Sequence, residues 1–142
     1  MKMHSWQEGA IRSFSSLHTF LFRSIGLTGP GVMRQMLILT TRGRKTGREV
    51  SVPLLYIEEN GKLYIVASFG GNDTAPGWYK NLVANPEVEV ELHSKKQRYR
   101  TRTVSAEEKD TIWPKLLALY PTYADYQKKT TRAIPVVELT AT

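Results

Sequence analysis

Between Thr40 and Arg48 the chain reads Thr-Thr-Arg-Gly-Arg-Lys-Thr-Gly-Arg. Arg42, Arg44, Lys45 and Arg48 place four cations within seven residues, and Thr40, Thr41 and Thr46 add hydroxyls. Gly43 and Gly47 let the backbone turn tightly and present its N–H groups. Such a nest ringed by cations suits a phosphate or carboxylate. The spacing from the first glycine to Lys45 is not that of a nucleotide P-loop. A solvated basic hairpin has the same composition, so both readings stand at this point. A second cluster is Ala67-Ser68-Phe69-Gly70-Gly71, followed by Ala75-Pro76-Gly77-Trp78-Tyr79. The glycine pair permits close approach to the backbone, and a helix opening after it offers N–H donors to an anion. Trp78 suits a core position equally well. A third cluster, Tyr120-Pro121-Thr122-Tyr123-Ala124-Asp125-Tyr126, supplies flat apolar faces and phenolic donors. Tyr123 and Tyr126 share a face if helical. A wall over a planar ligand and ordinary packing both accommodate them.

Other chemistry is excluded. Cysteine is absent, which removes disulfides, a thiol nucleophile and thiolate-bound metal. The three histidines, His4, His18 and His93, are scattered and make no metal pair. No serine elbow and no closely spaced carboxylate pair occurs. Anion receptors and aromatic walls with few acid–base groups suit a protein that holds a planar cofactor carrying its own chemistry. The 142 residues fit one domain, and 20 Lys and Arg against 13 Asp and Glu give +7, favouring an anionic partner. Lys95, Lys96, Arg98, Arg100 and Arg102 read as a solvated sheet face. Tyr99 alternates to the other side, so nucleic acid is not expected. No stretch approaches the ~20 apolar residues of a membrane span, and the start lacks a signal-peptide pattern. A cytoplasmic protein is expected.

The elements that position these clusters follow from periodicity. Ser5 to Ile25 predicts an amphipathic helix with Trp6, Ala10, Phe14, Leu17, Leu21 and Ile25 on one stripe. It either docks on the domain or lies on a membrane surface. Residues 1–31 form this N-terminal helix and loop, and 32–142 the main domain. Six strands are predicted: Met36 to Thr41, Val50 to Glu58, Lys62 to Ser68, Glu87 to His93, Gln97 to Val104 and Ile134 to Leu139. Asn60-Gly61 marks a hairpin. One helix opens at Asp73-Thr74-Ala75-Pro76, where Asp73 and Thr74 offer caps, and stops at Asn85-Pro86. A second runs from Glu107 to Leu119 behind the capping box Ser105-x-x-Glu108, with Pro114 interrupting it or marking a restart. A third spans Tyr123 to Thr130. The class is α+β, a small antiparallel barrel with helices outside.

Several stretches stand in a recognisable order: Leu39-Thr40-Thr41-Arg42-Gly43-Arg44-Lys45-Thr46-Gly47, Pro53-Leu54, Val66-Ala67-Ser68-x-Gly70-Gly71, Pro76-x-Trp78-Tyr79-x-Asn81-Leu82-x-Ala84-Asn85-Pro86 and Tyr120-Pro121-x-Tyr123-x-x-Tyr126. The set resembles the deazaflavin-dependent nitroreductase family of actinobacteria, which includes mycobacterial members and uses coenzyme F-420. The resemblance implies an antiparallel split β-barrel and hydride transfer from the reduced coenzyme to a quinone, nitroaromatic or other conjugated, electron-poor acceptor. It implies that Arg44, Lys45 and Thr46 grip the coenzyme's acidic tail. It assigns Val50, Ser51, Val52, Pro53, Leu54 and Leu55 to the cofactor groove. Val66, Ala67, Ser68 and Phe69, with Gly77, Trp78, Tyr79, Lys80 and Asn81, would hold ring and phosphate. Tyr123, Tyr126 and Ser68 are the candidate catalytic residues, with Tyr123 also touching the ring. No metal is implied. The chain departs from the family pattern at Phe69, where lysine is common, at Val50, where arginine is common, and at Leu55, where a pocket tyrosine is usual. The rival readings are a split-barrel reductase using FMN and a deazaflavin carrier without turnover. The expected partner is a small-molecule acceptor, for a monomer or homodimer, and peripheral membrane contact through the N-terminal helix is left open.

Overall fold

The computed structural model describes residues 35–142. The helix predicted over Ser5 to Ile25 and the division after residue 31 lie outside the described residues. Seven strands follow in chain order: β1 (Met36–Arg42), β2 (Glu49–Leu55), β3 (Ile57–Glu59), β4 (Lys62–Val66), β5 (Glu87–Leu92), β6 (Lys95–Thr103) and β7 (Val136–Ala141). The described helices are α1 (Gly77–Ala84), α2 (Ala106–Leu119) and α3 (Thr122–Lys128), with a short 3-10 turn at Phe69–Gly71. The strands form one sheet in the order β2-β1-β5-β6-β7-β4-β3, antiparallel at every pairing. Its two edges, β2 and β3, are consecutive in the chain with only Tyr56 between them. The sheet must therefore curl until its edges approach, which produces the split barrel.

Side-chain alternation builds two apolar layers. Leu37 and Leu39, Leu63 and Ile65, Val88 and Val90, and Val137 and Leu139 point inward and pack with Tyr56 and Leu82. Outside the sheet, Ile112 and Leu116 of α2 and Tyr123 of α3 cover Val66, Val104 and Val136. Strand β7 is buried on both faces, so Val136 to Leu139 is a continuous buried run. Asn60 and Gly61, at φ 53° and 77°, make the predicted hairpin turn between β3 and β4. The Ser105–Glu108 capping box opens α2 with both reciprocal bonds made.

The structure corrects five expectations. The strand predicted over Val50 to Glu58 breaks at Tyr56, whose N–H turns to the carbonyl of Gln35, so seven strands form. Pro114 lies inside a continuous α2, on its exposed face, where the Asp110 carbonyl it leaves without a donor faces solvent. Buried Ile112 and Leu116 on either side hold the helix together. Asp73 and Thr74 do not cap α1; Pro76 takes that position without a side-chain bond. His93 is not in a strand but makes the β5–β6 turn with Ser94, at φ 49° and 68°. Arg102 lies on the solvated face but is not free there: it forks onto Glu108 at 2.8 and 2.7 Å and reaches buried Glu138 at 3.0 Å. Tyr64 donates to the same Glu138 at 3.0 Å. Burial alone would raise the Glu138 pKa; the bonds from Arg102 and Tyr64 hold it below the usual carboxylate range.

Candidate functional site

The basic loop joins β1 to β2 and is folded on itself. The Gly43 N–H donates to the Arg48 carbonyl at 2.7 Å, and the Gly47 N–H to the Gly43 carbonyl at 2.8 Å. The Thr46 hydroxyl accepts from the Arg48 N–H at 3.2 Å. Gly47 has φ 73°, a conformation that favours glycine. The loop is latched to α1 by one buried side chain. Oδ1 of Asn81 accepts from the Arg44 N–H at 3.2 Å and from its Nη1 at 3.0 Å. Nδ2 of Asn81 donates to the Thr41 hydroxyl at 3.2 Å. Asn81, read from sequence as a cofactor contact, spends its side chain on holding this loop. Among the described residues, Arg42, Arg44, Lys45 and Arg48 have no carboxylate within ion-pair distance. By contrast Arg98 and Arg100 both reach Glu87. The loop is thus a folded cationic knuckle tied to α1, with no described carboxylate paired to its four cations.

Strand β2, which leaves that loop, is an edge of the sheet. Ser51 shares a 2.7 Å hydrogen bond with Thr40 across the β1–β2 register. Val52 and Leu54 pack toward the barrel interior, Pro53 is buried, and Leu55 packs under the helices. Val50 is 42% exposed.

Strand β4 delivers Val66, Ala67 and Ser68, all buried. Phe69, Gly70 and Gly71 then turn with φ of 46°, 63° and 82°, leaving the Phe69 ring exposed. What approaches the glycine pair is the chain itself. A Cβ on Gly71 would stand 2.7 Å from the Tyr126 carbonyl oxygen and 3.0 Å from its Cα. The Thr130 hydroxyl donates to Asp73 at 2.8 Å, a second tie from the end of α3 to the same segment. Beyond it, α1 opens with exposed Gly77 and Lys80, while Trp78 and Tyr79 pack half-buried against the barrel. Their rings meet edge to face at 6.4 Å, and the Tyr79 hydroxyl bonds Thr103. The stretch from Ala67 to Asn81 therefore joins two groups: α3 at one end and the basic loop at the other.

The tyrosines form a nest. Tyr120 meets Tyr123 at 4.9 Å edge to face, and Tyr126 lies 6.1 and 6.4 Å from the two. Tyr123 is enclosed beside Trp113, and burial pushes its phenol far up. Tyr126 is the more accessible of Tyr123 and Tyr126. Burial, with the Tyr120 hydrogen bond, pushes its pKa up to about 12, so it stays protonated at neutral pH. The Tyr120 and Tyr126 hydroxyls stand 3.1 Å apart. One proton serves that bond, which leaves the other free to be donated. The nest can offer a hydrogen bond but is no base. Tyr120 was legible as part of the tyrosine cluster but not as the partner of Tyr126.

A model of the F-420H(2)-dependent quinone reductase family matches residues 17–141. An F-420H(2)-dependent quinone reductase of Mycobacterium tuberculosis is 36% identical over 131 residues, covering 87% of each chain. The solved structure of an F-420H2-dependent reductase superposes with a TM-score of 0.68 at 42% identity, covering 75% of this chain and 94% of that one. A chain described as a domain-swapped dimer also gives 0.68 at 42% identity, over 75% and 80%. The heme storage protein of Vibrio cholerae, 12% identical with a TM-score of 0.60 over 77% and 82%, shares the fold alone.

Proposed function

The chain belongs to the F-420H(2)-dependent quinone reductase family, and from that premise we propose that the cationic knuckle receives the acidic tail of coenzyme F-420. The observation that carries this is the latch: Asn81 draws onto α1 a loop whose four cations meet no described carboxylate. That arrangement fits a polyanion and the cofactor named for the family. It gives the FMN reading no comparable support, and the reductase family to which the chain belongs favours turnover over a carrier.

When bound in reduced form, the coenzyme supplies a hydride. Everything else falls to the chain. Arg44, Lys45 and Thr46 bind the tail, with Arg48 beside them. Lysine and arginine here act through charge-assisted hydrogen bonds, each stronger than a neutral one. Val52 and Leu54 give the ring an apolar floor along the edge strand. Ser68 and the opening of α1 orient the ring and phosphate, since no side chain caps that helix and its first N–H groups remain available. Tyr126 Oη donates to the acceptor oxygen on which negative charge builds, and the Tyr120–Tyr126 bond fixes where that proton points. Tyr123 holds the ring of Tyr126 in place from inside the nest. The acceptor is a small quinone. Among the described residues no helix is long and apolar enough to cross a membrane.

The test is turnover. Reduced F-420 mixed with protein and a soluble quinone should be oxidised in proportion to quinone added, and reduced FMN should not replace it. Tight coenzyme binding without quinone-dependent oxidation would establish the carrier reading instead.

A further inference from the structure

We infer that Arg132 is a positioning residue for the cofactor loop, its guanidinium fixing the backbone of residues 67–72; the inference rests on the function proposed above. Arg132 Nε donates to the Asn72 carbonyl at 2.7 Å, and Nη2 to the Ser68 carbonyl at 3.0 Å. Both Nη atoms reach the Ala67 carbonyl at 3.4 Å. One planar fork thus spans three carbonyls of a single loop, a geometry that lysine cannot reproduce. No described carboxylate pairs with Arg132, and each of its four side-chain hydrogen bonds goes to a backbone carbonyl.

The loop needs such a tie. Phe69, Gly70 and Gly71 are successive left-handed residues, and Phe69 is not a glycine. Within residues 67–72 the backbone bonds to itself only from Gly71 to Ser68 and from Asn72 to Phe69. Arg132 grips it from the α3–β7 connection, where Thr130 accepts from the Arg132 N–H at 3.3 Å and donates to Asp73. Gly71, pressed against Tyr126, closes the other side. The cofactor loop and the tyrosine helix are consequently held as one body. Loosening Arg132 disturbs the placing of Ser68 relative to Tyr126 without removing either.

The experiment compares the full chain with Arg132→Ala and Arg132→Lys at a temperature where circular dichroism shows each folded. Backbone hydrogen exchange across residues 67–73 and F-420 affinity by fluorescence titration are read in parallel. Both variants should exchange faster at Gly71 and Asn72 and bind the coenzyme about tenfold more weakly. Lysine keeps the charge but loses the fork, so it should resemble alanine. Millimolar guanidinium should restore part of the affinity in Arg132→Ala, where sodium chloride at equal ionic strength should not. If Arg132→Ala does not fold, Arg132→Lys carries the comparison. Unchanged exchange overturns the clamp. Faster exchange with affinity held within about twofold overturns the positioning role. An unsubstituted chain that does not bind F-420 overturns the functional reading instead, and exchange alone then decides the clamp.

Discussion

Replacing Asn81 by alanine should unlatch the basic loop. Three hydrogen bonds go with it: one from the Arg44 N–H, one from its guanidinium and one to Thr41. A neutral bond contributes about 1 kcal/mol net, and one to a charged group about 1.5–3 kcal/mol. Arg44 is exposed, so its charged bond belongs at the low end, and the three together amount to about 3.5 kcal/mol. Not all of this reaches global stability, because the loop can go slack while the barrel stays folded. The Thr41 hydroxyl is buried and loses its donor, which sets a loss of about 2 kcal/mol in urea denaturation. The rest should appear as coenzyme affinity, about tenfold weaker by fluorescence titration. Asn81→Asp separates geometry from charge. A carboxylate still accepts both bonds from Arg44, and Thr41 can turn to donate to it. Stability should hold within about 1 kcal/mol. Yet the new charge neutralises a cation meant for the ligand, so affinity should fall at least as far as in the alanine variant. Asn81→Ala with unchanged stability and affinity would refute the latch; Asn81→Asp binding as tightly as the parent would refute the electrostatic reading.

Tyr126→Phe should lower kcat for quinone reduction while leaving coenzyme affinity intact, and the parent's rate should show no tyrosine titration below about pH 10, because the phenol is pushed up to about 12. Full turnover in both Tyr123→Ala and Tyr126→Ala would show the nest to be packing alone. Gly71→Ala should destabilise by about 3 kcal/mol, since it adds a left-handed strain to a clash with the Tyr126 backbone; a melting point near that of the parent would show that α3 yields easily. Glu138→Ala should cost about 1–2 kcal/mol at neutral pH, since Arg102 is half exposed and keeps Glu108 while the Tyr64 hydroxyl loses its acceptor. The folded pKa of Glu138 lies below its unfolded one, so this contribution is complete above the ordinary glutamate range and fades as pH falls through the lower, folded value. The gap between parent and variant in denaturation experiments should narrow below about pH 4, and a constant gap would contradict the assignment.

Local signals were legible where one neighbour decides them. Asn60-Gly61, the Ser105–Glu108 box and the alternation of Val88 and Val90 each depend on residues within a few positions, and each took its expected form. Long-range partners were not. Tyr56 breaks a run that reads as one strand because its neighbours belong to opposite edges of a sheet that closes on itself. Arg102 looked like its neighbours Arg98 and Arg100 until Glu138, thirty-six residues on, came beneath it. In the site, the cationic loop and the tyrosine cluster could be marked from composition. That Asn81 serves the loop, that Gly71 admits Tyr126, and that Arg132 ties the two halves depend on contacts spanning 37 to 65 residues. No spacing in the sequence announces them.

The central claim is that the Gly43–Arg48 knuckle reads the anionic tail of a deazaflavin. The most direct measurement is an equilibrium titration of the parent and an Arg44→Ala/Lys45→Ala variant with three ligands: F-420, the deazaflavin lacking its glutamate tail, and FMN. The parent should prefer F-420. The double variant should lose about 1–3 kcal/mol for F-420 and less for the tail-less compound. Micromolar FMN binding with no detectable deazaflavin binding, or equal F-420 affinity of parent and variant at low salt, would contradict it.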